Sequence, residues 1–208
     1  MTKVHWNGPA AIEKGINMSE IIAWGDESVQ RQGGIAPTYY VGVCICGLEE
    51  NEVRQRLLAP VRKRIPKLHW RDMTSSEKQR SISVVESLSL PHIVAAAAPL
   101  DNIKPDRARH KCLERLLPEL ERRYGVTRLV LESREASQDE RDLACVRGLR
   151  SRNFIHRLRV DFTSGASDAR LWIPDQVLGA IGDAARGGED HSGLIASVRR
   201  LDVDLSGQ

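Results

Sequence analysis

Apolar positions along the chain change their period several times, and each change marks an element. Ile21-Ile22-Ala23-Trp24 is a short apolar run that reads as a strand, with Gly25-Asp26-Glu27-Ser28 at its end and a turn around Gly33 and Gly34 after it. From Tyr39 to Cys46 the period is two. Tyr39, Val41, Val43 and Ile45 share one face, while Tyr40, Gly42, Cys44 and Cys46 share the other. Two such strands across a glycine turn imply an antiparallel hairpin. Leu48 to about Arg64 then has helical spacing, which Pro60 must kink or end. Lys67 to Trp70 reads as a brief extended piece after Pro66.

Further along, strands and helices alternate. A helix is expected from about Ser75 to Leu88, with Ser75 or Ser76 and Glu77 in its first turn. His92 to Ala98 reads as a buried strand ended by Pro99. Ala108, Cys112, Leu113, Leu116, Leu117 and Leu120 define an amphipathic helix from about Pro105, questioned by Pro118 and broken by Gly125. Arg128 to Glu132 has the apolar centre of a strand, Gln138 to about Arg150 returns to a helical period, and Arg157 to Thr163 is strand-like. Trp172 and Ile173 lead into Pro174, a good first-turn residue for a helix through Val177, Leu178, Ile181 and Ala184. Arg199 to Leu205 is a last strand or a tail. The order predicts an α/β domain with a mixed sheet, flanked by helices and opened by the hairpin.

Composition narrows the picture. The 208 residues suit one domain, taken as residues 20–208, after an N-terminal extension at 1–19 whose glycines and proline show no period. With 41% hydrophobic and 28% charged residues, a disordered or collagenous chain is excluded. Cys44, Cys46, Cys112 and Cys145 lack zinc-like pairing, and Cys44 and Cys46 read as small core residues. No signal sequence is evident and the longest apolar run, Ile93 to Leu100, is far below the ~20 residues that cross a bilayer, so a soluble cytoplasmic protein without membrane partners is expected.

Three acids sit where elements begin or end. Asp26, with Glu27 beside it, follows the first apolar strand, Glu132 closes Leu129-Val130-Leu131, and Asp175 lies in a first helical turn, where the helix terminus favours an anion. Clustered carboxylates suit a hard divalent cation, Mg²⁺ or Mn²⁺, and two such metals can activate water and stabilise the leaving oxygen of a phosphodiester. The plain alternative is a turn cap, an arginine partner and a helix cap. Asp139, Asp142 and Asp161 are possible fourth acids, Asp139 foremost because it closely follows Glu132. His69 could orient a carboxylate or contact phosphate, or be a hydrogen-bonded structural histidine.

Gly25-Asp26-Glu27-Ser28, Tyr39-Tyr40-Val41-Gly42-Val43, Leu68-His69-Trp70, Leu131-Glu132-Ser133 and the segment Ile173 to Ala180 occur in an order that resembles a large uncharacterised bacterial family. That family is a domain of unknown function with an Asp-Glu-Ser opening, grouped with the ribonuclease H-like superfamily. The likeness spans about residues 20 to 186. It implies a ribonuclease H-like fold, with a strand-borne aspartate at Asp26, a central-strand acid at Glu132 and a late helical aspartate at Asp175. Two positions depart from the pattern: Glu132 replaces an aspartate, and Pro174 stands where alanine is usual.

The net charge of +3 is too small to demand a nucleic-acid partner, but its distribution is uneven. Arg54 to Arg71 holds seven cations and no acid: Arg54, Arg56, Arg62, Lys63, Arg64, Lys67 and Arg71. Arg147 to Arg159 holds five arginines and no acid, with Arg150 and Arg152 at its centre. Such stretches suit sequence-tolerant binding of DNA or RNA through phosphates, or form solvated helix faces. No nucleophile-elbow, P-loop or dinucleotide fingerprint is present. The expected activity is that of a divalent-metal-dependent nuclease or related phosphodiester-processing enzyme. Asp26, Glu132 and Asp175 would hold the metal, Glu27 and Asp139 would be secondary, and His69 would orient. The alternative is a non-catalytic nucleic-acid-binding or regulatory module; converging acids would favour the enzyme, and a site filled by a salt bridge the module.

Overall fold

The alternation of β2 (Thr38–Ile45) explains the layering of the whole molecule, because every residue of this strand is buried. Tyr39, Val41, Val43 and Ile45 join one apolar cluster, and Tyr40 and Cys44 join another on the opposite face. A central strand with two apolar faces requires cover on both. The computed structural model, which describes residues 20–31, 36–61, 65–101, 103–188 and 191–206, supplies that cover as two helical layers around one six-stranded sheet. The expected turn at Gly33 and Gly34, the extension at 1–19 and the cations Arg62, Lys63 and Arg64 lie outside the described residues.

The sheet runs β5-β4-β1-β2-β3-β6, from β1 (Ile22–Gln30), β2, β3 (His92–Ala98), β4 (Arg128–Glu132), β5 (Arg159–Thr163) and β6 (Arg199–Asp204). β1, β2 and β3 are antiparallel neighbours, whereas β4 pairs parallel with β1, β5 with β4, and β6 with β3. The mixed sheet, the opening hairpin and the flanking helices agree with expectation. One face carries α3 (Pro105–Tyr124) and α4 (Ala136–Ser151). The other carries α1 (Glu50–Leu58), α2 (Ser75–Ser87), α5 (Trp172–Ala185) and α6 (Ser192–Ser197).

Local chemistry sets most boundaries. Thr74 rather than Ser75 or Ser76 caps α2, in a reciprocal capping box with Glu77. α1 stops before Pro60, shorter than its apolar spacing suggested. α3 runs through Pro118 because Leu113, Leu116, Leu117 and Leu120 are fully buried around it, so packing offsets the lost backbone bond, and Gly125 then ends it at φ 66°. Lys67 to Trp70 forms no strand. It is an irregular stretch entering a single 3-10 turn at Trp70–Asp72, although His69 itself is extended.

The largest correction concerns β1. Gly25-Asp26-Glu27-Ser28 lies inside the strand, not at its end, because β2 keeps pairing with β1 as far as Gln30↔Thr38. Only the parallel partner stops early: β4 pairs through Gly25↔Leu131. Asp26 therefore sits inside one pairing and just beyond the other.

α5 lies close to the sheet because side chains are missing where it crosses. A Cβ at Gly42 would meet Leu178 at 2.9 Å, and one at Gly179 would run into the Trp70 indole. Gly179→Ala should therefore displace Trp70 and destabilise the protein by about 1–3 kcal/mol, as overpacking does. Thermal unfolding should register this as a fall of about 2–4 °C per kcal/mol; an unchanged midpoint would mean that the indole relocates without cost.

Candidate acidic site on the sheet

Strand alternation decides which acids meet. Trp24 and Val130 point to the α5 side of the sheet, and two residues further along their strands Asp26 and Glu132 follow them to that side. Asp175, in the first turn of α5, joins them from above. The three carboxyls interact electrostatically. Burial pushes Asp26 up to about 8, and the charges of Asp175 and Glu132 push the same way, against the backbone N–H of Glu27, which donates to Asp26 Oδ1 at 2.7 Å, and the charge of Lys67. Asp175 is also raised, chiefly by burial, although Trp70 N–H donates to its Oδ2 at 2.8 Å and His69 and Lys67 lie near enough to favour its charge. Gln176 Nε2 donates to the same oxygen at 3.3 Å.

Lys67 is the basic partner of this group. Its ammonium contacts Glu132 Oε1, while Glu132 Oε2 is buried without a hydrogen-bond partner among the described residues. Gly165 makes room for the pair, since a Cβ there would press on Lys67 and lie 3.1 Å from Glu132 Oε1. Among the described residues, no three His, Cys, Asp or Glu side chains stand arranged to hold a metal ion as placed. The donor set nonetheless has the chemistry of a hard-cation site: oxygen ligands only, mutual repulsion, and one orphaned buried carboxylate oxygen.

Other candidates are placed elsewhere. Glu27 points to the opposite sheet face, where it meets the Tyr39 hydroxyl and Arg109. Residues 25–28 lie inside the strand and not at its end, and consecutive strand residues face opposite ways, so Glu27 leaves Asp26 behind. Asp139 accepts the backbone N–H of Arg134 at 3.1 Å, which ties down the entry to α4. Asp161 pairs with Arg128 at 2.6 Å, and Asp142 is fully buried among arginines. Ser28 accepts from Gln30 Nε2 at 3.3 Å.

The basic stretches lack acids in sequence but acquire them on folding. Arg54 donates to Glu50 and to the Ala166 carbonyl and lies over the Trp172 ring; Arg56 pairs with Glu52. Arg147 pairs with Glu140, Arg152 with Glu114, and Arg159 with Glu20, while Arg150 donates to the Leu158 carbonyl. Arg71 remains 81% exposed, with only a 3.6 Å contact to Asp72. No helix of the described residues is long and apolar enough to cross a membrane.

No family model matches the chain, and no curated protein does either. Among solved structures, a chain in a PCNA–RNase HII complex from Archaeoglobus fulgidus is similar, at 15% identity and a TM-score of 0.47, over 77% of this chain and 71% of that one. At that identity and overlap nothing about activity passes from one chain to the other.

The raised carboxyls make stability pH-dependent with a defined sign. Asp26 ordinarily titrates at 3.8 and in the folded protein at about 8, so its favourable contribution is complete below pH 3.8 and is lost as pH rises through 8. The stability advantage of Asp26→Asn over wild type in metal-free buffer, read from denaturant unfolding, should therefore grow between pH 5 and pH 8 and level off above, with a limiting slope of about 1.4 kcal/mol per pH unit. Parallel curves for the two proteins would show that Asp26 is not held neutral.

Proposed function

We propose that the protein is a divalent-metal-dependent nuclease, or a related phosphodiester-processing enzyme, of the ribonuclease H-like kind, with residues 20–208 as its one domain. What supports this reading is the electrostatic grouping of Asp26, Glu132 and Asp175 from β1, β4 and α5, with Glu132 Oε2 buried and unpaired among the described residues. Bringing three carboxylates together in a partly buried place is costly unless a cation compensates. Mg²⁺ or Mn²⁺ would supply that charge and, when bound, a water activated for attack on phosphorus.

The chain's own residues have distinct tasks in this scheme. Asp26, Glu132 and Asp175 would hold the metal. Trp70 N–H and Gln176 orient Asp175 through its Oδ2, and His69 stands beside it. Lys67 would leave Glu132 as the cation arrives, and its ammonium would then be free to meet a phosphate. Arg71, exposed on the following turn, would take the nucleic-acid backbone. Arg54, Arg150 and Arg152 would do so only from within their present pairs.

A second reading rests on one specific observation: Lys67 already neutralises Glu132. A lysine in place of the cation suits a module that keeps the fold and binds nucleic acid without turnover. Cleavage of single-stranded and duplex DNA and RNA with Mg²⁺ or Mn²⁺ separates the two. Wild type should cut at least one substrate, and Asp26→Asn should slow it by 100-fold or more, the scale expected when a metal-held interaction worth several kcal/mol is removed. Equal rates would place the activity outside this site. An inert wild type that still binds the substrates would establish the module.

A further inference from the structure

Beneath the acidic group, on the opposite face of the sheet, lies a ring of alternating charge. Arg109 of α3 contacts Glu27 Oε2 through Nη1 and Asp142 Oδ2 through Nε at 2.7 Å. Arg134, in the segment between β4 and α4, reaches the same Asp142 oxygen through Nη2 at 2.9 Å and stands 3.9 Å from Glu27 Oε1 through Nε. Two acids and two arginines thus alternate, three sides being hydrogen-bonded and the fourth, Arg134 to Glu27, a longer charge contact in which Arg134 Nε makes no hydrogen bond among the described residues. The Arg109 and Asp142 side chains are 2% and 0% exposed, so the ring is anchored in the interior between α3 and α4. The Tyr39 hydroxyl adds a bond to Glu27, Asp106 lies 3.5 Å from Arg134, and His110 lies 3.4 Å from Asp142 Oδ1.

The two ring members that do not come from helices are placed tellingly. Glu27 is the residue after Asp26 on β1, and Arg134 is two residues after Glu132 at the end of β4. The parallel pairing of these strands stops at Gly25↔Leu131, so no ladder bond fixes the spacing of Asp26 and Glu132 themselves. Glu27 also donates its own backbone N–H to Asp26 Oδ1, so holding the Glu27 side chain holds the peptide that aims that carboxylate.

We propose that Glu27, Arg109, Asp142 and Arg134 form a positioning ring that sets the separation and aim of Asp26 and Glu132 from the far side of the sheet. None of the four touches metal or substrate. The inference rests on the metal-site reading of those acids, and the arginine fork matters to it: guanidinium joins two acceptors in fixed geometry, which an ammonium on a flexible stem does not.

The experiment measures Mn²⁺ binding by isothermal titration together with thermal unfolding, on wild type, Arg134→Lys, Glu27→Gln and the double variant. Arg115→Lys, an exposed α3 arginine beside Glu119, is the control. Arg134→Lys keeps the charge and loses the fork, so it should unfold cooperatively while binding Mn²⁺ at least tenfold more weakly. Glu27→Gln should weaken binding similarly, and the double variant should lose less than the product of the two because both break one ring. The control should bind as wild type does. Mn²⁺ affinities within twofold of wild type in both folded single variants would overturn the proposal. Loss of cooperative unfolding in both would overturn it too, by making the ring a folding element alone. A wild type that binds no Mn²⁺ would instead fail the metal-site reading beneath it, an outcome read before any variant is compared.

Discussion

Two carboxylates at consecutive positions of a central strand impose the constraint from which much of this molecule follows. A strand sends neighbours to opposite faces, so Asp26 and Glu27 place negative charge in both helical layers at once, and each layer must answer it. The α3–α4 layer answers with Arg109 and Arg134, reinforced by Tyr39. The α5 layer answers differently: it brings more acid, Asp175 and Glu132, against a single lysine. One face is compensated by two arginines, and the other has a single lysine against three acids.

The closeness of α5 is a matter of absent atoms. Gly42 lets Leu178 approach β2, Gly179 admits the Trp70 indole, and Gly182 makes room for Gln30. Trp70 in turn gives Asp175 its backbone N–H and reaches Asp183 through Nε1 at 3.1 Å, so the 3-10 turn and α5 lock together. The third acid thus arrives through packing, and its position is only as good as the contact of that helix with the sheet.

Much of this was legible from periodicity. β3 and β4 have the bounds their apolar runs suggested, and the two faces of β2 divide as their alternation required, because a two-residue period against a buried sheet leaves little choice. Glu132 and Asp175 were legible as acids at element ends, and Asp26 as an acid of the first strand, although it lies inside that strand and not at its end. The role of Lys67 was not, for it appeared as one cation in a basic stretch, and only the fold carries it across to Glu132, sixty-five residues away in sequence. The side of the sheet that Glu27 takes was not legible, because the strand continues through residues 25–28 where an end was expected. The arginine stretches looked unopposed because their acids, Glu114, Glu140 and Glu20, are brought in by folding.

The strand order leaves β5 and β6 at the margins of the sheet, and both are short, at five and six residues. β6 reads Arg-Arg-Leu-Asp-Val-Asp and β5 begins with an arginine, so charge recurs along each open margin. A neighbouring chain trying to add its own strand there would have to desolvate guanidinium and carboxylate groups for very few backbone bonds. Among the described residues, strand addition at either margin of this apolar sheet is thereby disfavoured.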